Sequence, residues 1–197
     1  MEQKSHYPSY DVMSQQDHWD DHTQQVVQSR LSGQSTYQFL QTEEVEQLKR
    51  LTGDLVGDHR QDIIQYVVGF IDQSLSSDIG EGQRKVGVPK ADILLRDGLK
   101  AMNRSAEKKY GQNLLGLDVK DRLQLLQELS QNGVAPVEEW TGLSQKEMFK
   151  KLLNWSIEAY YSHPTVWSEI GYGGPAYPRG YVRTKIGQLD PWEAQPE

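Results

Sequence analysis

The chain contains no cysteine. That single absence rules out a disulfide framework, thiolate metal ligands and a thiol nucleophile together. Long apolar runs are also missing. The nearest approach, IIQYVVGFI at 63–71, is interrupted by Gln65 and Gly69 and falls well short of the ~20 apolar residues of a membrane span. Basic charge is scarce: 21 Lys and Arg stand against 28 Asp and Glu, for a net charge of −7. Such a balance argues against nucleic acid or an anionic membrane as the main partner, since both are bound by clustered cations. The opening stretch MEQKSHYPSYDVMSQQDHWDD has neither a basic start followed by an apolar core nor a twin-arginine pair, so a cytoplasmic address is expected. Alternating apolar and polar runs of strand length are absent as well, which excludes a sheet as the organising element.

What is present is helical periodicity. Residues 1–13 are polar with Tyr7, Pro8 and Tyr10, and read as an extended arm. SQQD at Ser14 has the spacing of a helix start, and Trp19, Thr23, Val26, Val27 and Leu31 follow at helical intervals. TYQFL at 36–40 reads as a short extended link. A second helix is predicted over Thr42–Val56, with Val45, Leu48, Leu51 and Leu55 on one face and Glu43 and Glu44 in its first turn. A third, over Gln61–Leu75, carries the broadest apolar stripe and is placed at the centre of the core. The loop at 76–89 precedes a fourth helix at 90–110, with Leu94, Leu95, Leu99, Met102 and Ala106 inward. A fifth follows Asp118 and buries Leu123, Leu125, Leu126 and Leu129. A sixth follows the capping pattern SQKE at Ser144 and ends at His163-Pro164. The expected fold is all-α: a bundle of about six helices at 14–162, the arm before it and an irregular aromatic, Gly- and Pro-rich tail at 163–197.

Candidate chemistry is sparse. In DHWDDH, His18 and His22 are four residues apart and would share one face of a continuous helix, with Asp17 and Asp21 beside them, as a metal-binding helical enzyme would need. A third ligand motif is missing, so the bland alternative is an acidic first turn with solvated histidines. Gly171, Gly173 and Ala176 match a loose dinucleotide fingerprint. The match is rejected because no strand precedes it, while Pro175 and Pro178 obstruct a following helix. The carboxylate pairs Glu43-Glu44 and Glu138-Glu139 flank helices, Trp140 and Trp155 read as core, and nothing resembles a nucleophile elbow. No catalytic constellation survives.

The tail is where the aromatics concentrate. Ordering about thirty irregular residues costs ~1–2 kcal/mol each, whereas each buried aromatic returns only ~1.5–3 kcal/mol. The tail therefore needs a broad surface to lie on, either its own helices or another protein. Trp167, Tyr172, Tyr177, Pro178, Arg179, Tyr181 and Trp192 are the candidate partner-binding residues, because Tyr, Trp and Arg anchor interfaces. A general helical scaffold whose tail folds on itself is the competing view.

The tail sequence YYSHPTVWSEIGYGGPAYPRGY followed by LDPWE, at 160–193, resembles the end of the gluconate 2-dehydrogenase subunit 3 family. TEEVEQLKRLTGDLVG and IIQYVVGFIDQSL resemble its opening helices, and GLKAMNRSAEKKYGQNLLGLDVKDRLQLLQEL its middle, so that the resemblance runs from about residue 39 onward. It implies a non-catalytic small subunit that carries no cofactor of its own. Its partner would be a large FAD-dependent dehydrogenase of the glucose-methanol-choline type, often with a cytochrome subunit that accepts the electrons. Many relatives also carry a twin-arginine signal, which this sequence lacks. No direct membrane insertion and no nucleic acid are expected.

Overall fold

The computed structural model describes residues 5–32, 36–77 and 81–195. Among them there are seven α-helices and no strand: α1 Asp21–Leu31, α2 Thr42–Val56, α3 Gln61–Leu75, α4 Ala91–Tyr110, α5 Val119–Ser130, α6 Gln145–Tyr160 and α7 Pro164–Ile170. The all-α expectation holds. Local chemistry explains most of the boundaries. Gln41 and Glu44 form a reciprocal capping box at the start of α2, while Asp118 and Ser144 cap α5 and α6 through the amides of Asp121 and Glu147. Gly57 and Gly111 close α2 and α4 in the left-handed conformation that suits glycine.

The bundle core collects Leu48, Leu51, Ile63, Val67, Ile71, Leu95, Leu99, Met102, Leu125, Leu129, Met148 and Leu152, all essentially inaccessible. Each such side chain contributes ~1.5–3 kcal/mol on leaving water. The hub differs from expectation. α6, rather than α3, packs against α2, α3, α4 and α5. Helix α4 comes close to α6 because Gly98 offers no side chain; a Cβ there would lie 2.8 Å from Met148 Sδ.

Two buried carboxylates join elements that periodicity alone does not connect. Asp54 on α2 accepts from Arg122 Nε at 2.6 Å and Nη2 at 3.2 Å, and Arg122 Nη1 donates to the Leu117 carbonyl at 2.6 Å. Asp72, fully buried on α3, accepts the backbone N–H groups of Gln38, Phe39 and Leu40 at 2.8–2.9 Å, which pins the 36–40 link to the bundle.

Three expectations are corrected. The first helix does not run from Ser14: Asp11 caps a 3₁₀ turn, Val12–His18, and Asp20 then caps α1 through the Thr23 amide at 2.7 Å. The break between them turns Trp19 into the protein, where it is buried. Leu123 is 45% exposed, because Arg122, Leu125, Leu126 and Leu129 take the inner face of α5. The tail opens with a helix, α7, since Pro164 occupies its first turn, where no N–H is needed, and His163 caps it.

Candidate partner-binding surface

The region built by α7, the arm and the tail begins with a cap. His163 is buried, and its Nδ1 accepts from the Thr165 amide at 3.3 Å. Burial pushes the imidazole pKa below its ordinary value; Asp62 and Glu169 oppose that fall, while Arg60 and Arg30 add to it. In the last turn of α7, Glu169 reaches back to the bundle. It takes both terminal nitrogens of Arg60, with Nη2 to Oε2 at 2.9 Å. Arg60 Nε also donates to Asp58 at 2.9 Å, and the Tyr160 hydroxyl donates to the same carboxylate at 3.1 Å. Burial alone would raise the Asp58 carboxyl, but the Arg60 and Tyr160 hydrogen bonds outweigh it and hold the group below its usual range. Burial, then the Asp58 charge, lifts the Tyr160 phenol to about 12. Four side chains from the α2–α3 turn, α6 and α7 thus fix the direction in which the tail leaves the bundle.

Beneath α7 lies a second, small core of Val12, Trp19, Val27 and Trp167. Trp167 is only 5% exposed. Its Nε1 donates to the Tyr161 carbonyl at 2.6 Å, and Arg30 lies over its ring at 5.3 Å while donating to the Ser162 carbonyl. Trp167, expected among the partner-binding residues, is thus buried within the chain itself, because α7 lays it against the arm and α1.

The remaining tail is a closed loop, not an extended strap. The Ala194 amide donates to the Gly171 carbonyl at 3.2 Å, so the two ends of a long excursion meet. The arm clamps this base. Tyr10 Oη donates to the Trp192 carbonyl at 2.7 Å, Val12 N to Ser168 Oγ at 3.0 Å, and a Cβ at Gly171 or Gly174 would collide with Tyr7 or Trp19. Arg179 stacks over Trp192 at 4.5 Å and donates to the Gly173 carbonyl. The return limb is tied by side chains. Asp190 Oδ1 accepts from Val182 N and Arg183 N at 2.8 Å, and Gln188 Oε1 from Thr184 N at 3.1 Å and Lys185 N at 3.3 Å.

Of the predicted residues, Arg179 and Trp192 pair at the base, Tyr172 is partly exposed beside Trp167 at 5.4 Å, and Pro178 is exposed. Tyr177 (69% exposed) and Tyr181 (65%) stand out on the excursion. The sequence reading missed exposed neighbours: Val182, Ile186 and Leu189 on the loop, and Ile157, Tyr161 and Ile170 around the α6–α7 corner. Tyr161 and Ile170 line a groove of about 180 Å³ with Val166 and Glu169. The spacing of Ile157 and Tyr161, four apart on an outer helical face, was the available signal. For α7 it was Ser-His-Pro, a cap followed by proline at the first helical position.

The DHWDDH cluster does not assemble. His18 ends the 3₁₀ turn and His22 begins α1, so no continuous helix holds them on one face, and both are exposed. Among the described residues no group of three or more His, Asp or Glu is placed to hold a metal, and no helix is long and apolar enough to cross a membrane.

Fold and surface together define an all-α protein whose tail is a clamped loop rich in aromatic side chains. The sequence profile described as gluconate 2-dehydrogenase subunit 3 matches residues 57–174, and the chain belongs to that family. The match begins at the α2–α3 turn and ends at the base of the loop, leaving 175–195 outside it, although the resemblance read from the sequence ran to residue 193. No curated protein and no solved structure matches the chain.

Proposed function

We propose that this chain is the non-catalytic small subunit of a hetero-oligomeric dehydrogenase. In this reading it binds and stabilises a large FAD-dependent subunit of the glucose-methanol-choline type that oxidises a sugar, sugar acid or polyol. Family membership supports the subunit role, since the family is named for one subunit of such a complex. The observation that carries the binding role is the exposure of apolar and aromatic side chains at the α6–α7 corner, Ile157, Tyr161 and Ile170, of which Tyr161 and Ile170 line one groove, and of Tyr172, Tyr177 and Tyr181 on the tail. Exposed apolar patches of this kind mark interaction sites. The corner lies within the family-matched segment, so it is assigned to docking shared by relatives; the loop beyond residue 174 is assigned to contacts of this chain's own.

The mechanism is linkage. A small subunit that binds only the folded flavoprotein stabilises it by ~2.7 kcal/mol at a hundred times its Kd. The rigid bundle and the fixed exit angle of α7 lower the ordering cost of that encounter. The test is co-expression with the glucose-methanol-choline-type flavoprotein encoded nearest to it, followed by measurement of bound flavin and thermal stability. A stoichiometric complex that melts higher than the large subunit alone is expected. Equal melting temperatures and no complex would overturn the reading.

A self-docking tail is the second reading, favoured by the Ala194–Gly171 closure and the Tyr10 clamp. It accounts for the base of the loop and leaves the tip unexplained. Limited proteolysis of the isolated chain separates the two: cleavage at 177–189 with the base intact supports docking by the tip, and complete resistance supports the self-docked scaffold.

A further inference from the structure

Arm, α1 and loop all meet on α7. Trp167 fills the small core with Val12, Trp19 and Val27, Ser168 Oγ accepts the Val12 amide, and the Gly171 carbonyl accepts the Ala194 amide. At the point where α7 joins the bundle stands His163, 1% exposed. Its Nδ1 accepts the Thr165 amide, so the neutral ring carries its proton on Nε2. Nε2 is buried and has no hydrogen-bond partner among the described residues. The ring packs edge-on against Tyr66 of α3, with centroids 5.3 Å apart, and the Tyr66 hydroxyl pairs with Ser162 Oγ at 2.9 Å.

The neutral ring fits this seat and the charged ring does not. A second proton can enter only at Nδ1, which turns the cap's acceptor into a donor facing the Thr165 N–H. Burial weighs most heavily against the resulting charge and sets the imidazole pKa below its ordinary value. Asp62 on α3 and Glu169 on α7 favour the imidazolium, whereas Arg60 on the α2–α3 turn and Arg30 on α1 oppose it. Glu169 is already engaged by both terminal nitrogens of Arg60. The charge is relieved only in water, and His163 reaches water when α7 lifts from the bundle. We infer that His163 is an acid-operated latch, whose protonation unseats α7 and so frees the arm and the loop while the bundle stays folded. The latch is independent of the subunit reading, and it acts on the surface which that reading assigns to docking.

Two buried indoles give the full chain a matched pair of reporters. The Trp167 N–H donates to the Tyr161 carbonyl at 2.6 Å in the lobe, and the Trp140 N–H to Ser105 Oγ at 3.0 Å in the bundle. Their hydrogen-exchange rates, followed by NMR and corrected for the intrinsic pH dependence of exchange, give the opening ratio of each region. At Trp167 that ratio should be level above the ordinary histidine value of 6.5 and rise by up to about tenfold per pH unit below it. The Ala194 amide at the loop base should follow Trp167, while Trp140 stays level. His163→Asn, which can cap but does not titrate, should abolish the rise. Absence of the rise at Trp167, its persistence in H163N, or an equal rise at Trp140 overturns the latch. If H163N leaves α7 open at every pH, the titration of the His163 ring in the unsubstituted chain decides instead: a midpoint below 6.5 supports the latch, and one at or above it overturns it.

Discussion

The helical bundle and the lobe made of arm, α7 and loop solve the same problem by opposite means. The bundle closes over a large apolar core, and its buried carboxylates are held there, Asp54 by Arg122 and Asp72 by three backbone amides. The lobe gathers four buried apolar side chains and depends on hydrogen bonds between segments far apart in the chain, Tyr10 to Trp192 among them. Five of the six buried side-chain polar atoms without a hydrogen-bond partner among the described residues belong to this lobe: Trp19 Nε1, His163 Nε2, Arg179 Nε and Nη1, and Asp190 Oδ2. Such atoms carry a desolvation cost of ~1–3 kcal/mol each. The lobe holds its shape with groups still available for rearrangement, which suits a surface that meets another protein.

The sharpest way to break this contrast is to damage each region separately. Asp54→Ala leaves the Arg122 guanidinium buried and unpaired, and should cost ~3–5 kcal/mol in the global urea transition. Trp167→Ala removes one of the two tryptophans of the small core, with ~3–5 kcal/mol of local stability. It should make residues 5–31 and 164–195 protease-sensitive while shifting the bundle's own transition far less. An equal shift of both transitions would mean that the two regions are one cooperative unit.

The next effect is one of pH. His163 has its pKa depressed by burial, so its neutral form is favoured in the folded state. The stability tied to it is fully present above the ordinary value of 6.5 and is lost as pH falls from there through the folded value. Hydrogen exchange in α7 should therefore quicken on acidification below that point while exchange in α3 does not. His163→Asn, which retains a capping side chain, should flatten the dependence. A dependence unchanged by that substitution would move its origin elsewhere.

The smallest effect is expected from Tyr10→Phe. It deletes the 2.7 Å bond to the Trp192 carbonyl, worth ~0.5–1.5 kcal/mol, and should loosen only the base of the loop. Faster exchange of the Ala194 amide with an unchanged urea midpoint is the expected pair of results. A lowered midpoint would show that the loop helps to hold the bundle.

Much of the site stayed hidden in the sequence for identifiable reasons. Tyr, Trp and Arg in the tail announced a contact surface, yet residue type could not say that Trp167 faces inward while Ile186 faces water. Asp72 sits in the midst of an apolar stripe and carries no local sign that its carboxylate will hold the amides of residues 38–40. The HxxxH spacing of His18 and His22 misled because it presumes an unbroken helix, whereas the 3₁₀ turn ends at His18 and Asp20 caps a new helix before His22.

The sequence by itself determined the helical spans, their caps at Asp118 and Ser144 and their glycine stops, because those depend on groups within four or so residues of one another. It also carried the family, through the helices and the Tyr-Ser-His-Pro corner. Only the tertiary structure decided that α6 is the hub, that Glu169 meets Arg60, and that the tail closes on an arm from the other end of the chain. The last two join residues more than a hundred positions apart, and no local period can encode which distant surface a side chain will find.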